Sequence, residues 1–115
     1  MGRPRKERRM NAAESFRQLI RVVAQTMLTL EIYDLDLLRL ELAKYKYTGI
    51  PQDPTAREAY GEIWTAMRTM AQFEDWECPL DVLDKFQQEL GSEFDSEPSI
   101  ETLRRAAEGA FDAIP

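Results

Sequence analysis

Residues 11–47 contain neither glycine nor proline, and this run constrains the fold more than any other feature of the chain. Asn11 is placed to cap a helix there, with Glu14 at the third helical position to return the bond. Apolar residues then recur at helical spacing: Phe16, Leu19, Ile20, Val23, Met27, Leu30, Leu37 and Leu40. Gly49, Pro51 and Pro54 end the run. Two short stretches, Leu28–Ile32 and Leu38–Leu42, also alternate with the period of a strand. Their Leu, Glu, Lys and Ala content favours helix, and no Asn-Gly or glycine-rich turn is present to close a hairpin. The run reads as helix.

A straight helix of 37 residues would be roughly 55 Å long. A compact domain of 115 residues is only about 35 Å across. The helix must therefore break, with Thr29 or the Asp34/Asp36 pair the weakest points, or else project and pair with something. Pairing is favoured by composition, because 12 of the 19 residues from Met27 to Tyr45 are apolar and they form two stripes. One is Val23, Met27, Leu30, Leu37 and Leu40. The other is Leu28, Ile32, Leu35, Leu42 and Tyr45. A helix that is apolar on two sides is either central in a bundle or shared with a partner. The second stripe is accordingly the expected oligomer interface, and the alternative is a monomer in which the remaining helices wrap both stripes.

Three shorter helices follow. Asp53-Pro54 supplies an N-cap and a first-turn proline for a stripe of Tyr60, Ile63, Trp64, Met67, Met70 and Ala71, widened by Phe73 and Trp76 and closed by Cys78-Pro79. Pro79 opens the next, through Leu80, Leu83, Phe86 and Leu90, and Gly91 ends it. Residues 92–98 read as an acidic loop. Ser99 then caps a last helix bearing Ile100, Leu103, Ala107, Ala110, Phe111 and Ile114. The expected fold is all-α: a small helical bundle with one long N-terminal helix, straight or kinked, and three shorter ones. It comprises a basic tail, 1–10, and a single helical domain, 11–115.

Charge divides along the same boundary. The net charge of −6 combines +4 over residues 1–10 with −10 over the rest. The tail begins Met1-Gly2-Arg3-Pro4-Arg5-Lys6. At Gly2-Arg3-Pro4-Arg5-Lys6 it resembles an AT-hook, a thin extended element whose arginines enter the narrow minor groove of A·T-rich DNA. The usual hook has Arg before the glycine, where this chain has Met1. The resemblance implies that Arg3 and Arg5 enter the groove and that Lys6, Arg8 and Arg9 meet phosphates. The same opening is similar to that of small phage packaging subunits, which form helical rings. A solvated basic leader is the plainer alternative.

Enzymatic chemistry is poorly provided for. With no histidine there is no Ser-His or Cys-His nucleophile and no Glu-x-x-His di-iron pattern, and one cysteine, Cys78, cannot build a zinc cluster. The five glycines are scattered, so no phosphate-binding loop exists. Asp34 and Asp36, two apart, do not share a helix face, and Asp81 and Asp84 lack further ligands nearby. No catalytic residue, metal, cofactor or small-molecule substrate is expected. One cysteine also fits a reducing compartment, charges interrupt every apolar run, and a cytoplasmic protein without a membrane span is expected. The functional expectation is a non-enzymatic helical assembly subunit, a homo-oligomer or part of a larger complex, that contacts DNA or RNA backbone through its tail. The alternatives are an adaptor or inhibitor whose acidic surface, 74–97, engages a basic partner, and a structural subunit of a larger, phage-like particle.

Overall fold

The computed structural model describes residues 12–112 (side chains at 92 and 110–112 excepted) as five α-helices and one 3-10 turn, with no strand among the described residues. The helices are α1 (Ala12–Leu30), α2 (Leu35–Thr48), α3 (Pro54–Glu74), α4 (Asp81–Leu90) and α5 (Glu97–Asp112), and the 3-10 turn spans Gly91–Phe94. The tail and the expected cap Asn11 lie outside the described residues.

The all-helical class is as expected, but the single long helix is two. Glu31 takes a left-handed conformation, φ 57°. This lets Ile32 N–H donate back to the Met27 carbonyl at 3.0 Å and Glu31 N–H to Leu28 at 3.3 Å, closing the end of α1. Asp34 restarts the chain, its carboxylate accepting from Asp36 N–H at 2.9 Å. Between them the Tyr33 hydroxyl donates to the Glu97 carboxylate at 2.8 Å, pinning the break to the start of α5. That bond raises the Tyr33 phenol above its ordinary pKa. Of the two outcomes that length allows, the helix breaks rather than projects, inside the window from Thr29 to Asp36, and the break resets the helical phase. On α1 the buried apolar positions are Leu19, Val22, Val23, Ala24 and Met27, centred on the line through Leu19, Val23 and Met27, whereas on α2 they are Leu35, Leu38 and Leu42. Leu37 and Leu40, which extend the α1 stripe in a continuous helix, point outward.

The Asp53-Pro54 start of α3 is found where it was expected, with the Asp53 carboxylate accepting from Ala56 N–H at 2.9 Å. Asp53→Ala is expected to reduce stability by about 1 kcal/mol, read as a lower urea midpoint with unchanged slope, and Asp53→Ser to recover most of it. Three other boundaries differ from expectation. α3 stops at Glu74 because Asp75 turns left-handed (φ 60°), so Trp76 N–H reaches the Ala71 carbonyl at 3.0 Å before Cys78-Pro79 is reached. Gly91 does end α4, at φ 64°, but the segment after it coils as a 3-10 turn. Ser96, not Ser99, caps α5: its hydroxyl faces Ser99 N–H at 3.4 Å and its carbonyl accepts from Ile100 N–H at 3.0 Å.

α1 is the central element, packed on α3 along one side and α5 along another, while α2 lies against α4. The core draws on every helix: Leu19, Val23, Met27, Leu38, Leu42, Ile63, Met67, Phe86 and Ile100 are fully buried. Arg39 of α2 bridges to Asp84 (3.1 Å) and Asp81 (3.9 Å) on α4. On α5, the bond from Arg104 holds the Glu101 carboxyl below the ordinary carboxylate range.

Candidate functional site

The tail residues Arg3, Arg5, Lys6, Arg8 and Arg9 lie outside the described residues. The expected interface stripe is distributed differently from a free surface. Leu35 and Leu42 are buried within this chain, Leu28 and Ile32 are half-buried against its core, and Tyr45 packs edge-on to Tyr60 at 5.3 Å. The physical cause is the phase reset at Glu31, which turns that side of α2 inward.

The apolar surface left uncovered is the opposite side of α2. Leu37 (53% exposed), Leu40 (66%) and Tyr47 (84%) recur at helical spacing, while Ile50 (61%), past the helix end, lines the neighbouring groove against α3. Glu41 and Lys44 share this face, 3.6 Å apart. These residues are visible in the sequence as apolar, but only the phase after the break tells which of them face out.

A second feature adjoins this patch. The end of α2 and the outer side of α3 enclose an open groove of about 500 Å³, lined by Lys46, Arg57, Tyr60, Trp64, Arg68 and Cys78 among others. Its rings form a continuous series, with Tyr45 on Tyr60 at 5.3 Å and Tyr60 on Trp64 at 5.8 Å. Burial, reinforced by the Glu41 carboxylate, pushes the Tyr45 phenol above its ordinary pKa. Trp64 Nε1 is buried without a hydrogen-bond partner, so packing alone orients the indole. Arg57 donates to the Pro51 carbonyl at 3.2 Å and to Gln52 at 3.3 Å, which fixes its guanidinium beside the groove.

The groove is unusual in its charge. Among the described residues Arg39, Lys44, Lys85, Arg104 and Arg105 each have a carboxylate partner, whereas Arg17, Arg21, Lys46, Arg57 and Arg68 have none, and the last three line the groove. No carboxylate lines the groove. The larger groove between α1 and α3, about 740 Å³, shares Arg57 and Gly61 with this one, but it mixes Arg21 and Arg57 with Glu58 and Glu62 and so carries no single sign. Much of the acidic segment 74–97 is occupied internally: Asp81 and Asp84 by Arg39, Glu89 by Lys85 at 3.8 Å, Glu97 by Tyr33. Among the described residues no group of three or more His, Cys, Asp or Glu side chains could hold a metal ion. No described helix is long and apolar enough to cross a membrane. No protein-family model, curated protein or solved structure matches the chain.

Proposed function

We propose that this chain is a non-enzymatic helical assembly subunit, acting in the cytoplasm, that contacts nucleic acid through its basic N-terminal tail. The observation that carries the assembly half is the outer face of α2. Its three exposed large apolar side chains, Leu37, Leu40 and Tyr47, amount to roughly 300–400 Å², the size of the apolar patches on proteins that are often functional. A second copy laid antiparallel on the same face would cover these side chains together with Glu41 and Lys44 between them, toward the roughly 1,000 Å² in total that a specific interface needs. The face is self-complementary in that orientation. Leu37 meets the partner's Tyr47 across a two-fold axis near position 42, and Lys44 meets the partner's Glu41. A parallel pair would set Glu41 against Glu41.

The nucleic-acid half rests on the charge of the tail, +4 over ten residues against −10 for the remainder. Five cations on phosphates give a salt slope of about −4 to −5 and a weak individual affinity. Assembly multiplies such weak contacts, because each tail after the first binds at high effective concentration. The two halves thus depend on one another. Deleting residues 2–9 is expected to abolish a salt-sensitive mobility shift of an A·T-rich duplex while leaving the assembled mass, less the deleted residues, unchanged. A shift that survives the deletion at full strength removes the tail from the proposal.

A further inference from the structure

We infer that the groove between the end of α2 and the outer side of α3 binds a short segment of single-stranded nucleic acid. Helix periodicity sets its residues in line. Arg57, Gly61, Trp64 and Arg68 follow one stripe of α3 at i, i+4, i+7 and i+11, with Tyr60 beside them and Lys46 across the groove. Cations stand at both ends of the stripe and rings lie between. Arg57 and Arg68 are separated by roughly 16 Å along the helix, too far to share one phosphate or one carboxylate. An extended strand carries phosphates at intervals and can use both.

The rings decide the kind of strand. An unpaired base exposes a flat face that can lie against Tyr60 or Trp64, and such stacking is tolerant of sequence. A duplex hides its base faces within its own stack and could use only the cations. Gly61 keeps the floor open, since a Cβ built there meets nothing within 4 Å. Arg57 still has donors for a phosphate, because its two carbonyl bonds use two of the five N–H groups a guanidinium carries. Lys46 and Arg68 are exposed and free of carboxylate partners among the described residues, so phosphate contact displaces no ion pair.

This site rests on the reading that the chain meets nucleic acid and deepens it: the tail engages phosphates of any strand, and the groove selects unpaired bases. The test uses the full chain carrying Trp76→Phe, so that Trp64 is the only indole, and a twelve-residue oligothymidylate as probe. Saturable quenching of Trp64 and slower alkylation of Cys78, the sole cysteine in the groove and in the chain, are expected. Adding Lys46→Glu with Arg68→Glu should weaken binding roughly tenfold or more and remove both signals, with the helical circular dichroism unchanged. Deleting residues 2–9 should weaken binding overall yet leave the quench at saturation intact. If the oligonucleotide binds only through the tail, with no quench and no protection of Cys78, the groove is not a site while the tail reading stands. Protection of Cys78 by oligoglutamate but not by oligothymidylate would instead assign the groove to an acidic protein segment and overturn the inference.

Discussion

Phe86→Ala is expected to lower the unfolding free energy by about 3–5 kcal/mol, the largest loss of any single truncation in this fold. Phe86 is fully buried, and its ring meets Phe16 of α1 at 5.8 Å and Phe94 of the 3-10 turn at 5.1 Å. One side chain therefore joins α4 to the central helix and to the turn that leads into α5. Its removal forfeits the burial of a large ring and leaves a cavity that these three elements cannot close without moving together. For a chain of 115 residues the total stability is on the order of 6–17 kcal/mol, so the variant stands near the limit of folding. Urea unfolding followed by circular dichroism measures the loss directly. A change below about 1 kcal/mol would contradict the placement of Phe86 at the junction.

Leu40→Lys is expected to act in the opposite way, sparing the fold and abolishing assembly. Leu40 is 66% exposed, so replacing it alters the isolated chain little; surface changes of this kind stay within about 0.5 kcal/mol. In the antiparallel pair the same change counts twice. The two-fold axis near position 42 sets position 40 beside Lys44 of the other copy, so each new lysine carries a like charge into an apolar contact with no carboxylate to receive it beyond Glu41, already engaged with Lys44. The dissociation constant should rise by roughly 100-fold or more, about 2.7 kcal/mol, without any shift in the urea midpoint measured on the monomer. Leu35→Glu makes the contrast, because Leu35 is buried in the chain's own core and its replacement damages the fold itself.

Much of the architecture is legible in the residues. The proline and cap of Asp53-Pro54 and the stop at Gly91 lie where local chemistry places them. Length alone demands either a break between Thr29 and Asp36 or a projecting helix, and the composition, apolar on two sides, points to the second where the structure takes the first. What local chemistry does not disclose is that Glu31 and Asp75 take left-handed conformations, since neither is the glycine that such a position ordinarily selects. Glu31 matters most, because the phase it resets exchanges the two stripes. Leu37 and Leu40 continue the core stripe of α1 on paper and face water in the fold; Leu35 and Leu42 do the reverse. The groove was hidden for a different reason. Tyr60 and Trp64 carry the helical period of a core face, and only the tertiary fold brings Lys46 from α2 alongside Arg57 and Arg68 and leaves all three without carboxylates.

The central claim, that this helical chain assembles through the outer face of α2, is met most directly by mass from light scattering across micromolar to hundreds of micromolar concentrations. The wild-type chain is expected at an even multiple of 13.4 kDa and Leu40→Lys at 13.4 kDa, with identical circular dichroism. A wild-type chain that remains at 13.4 kDa throughout that range would contradict it.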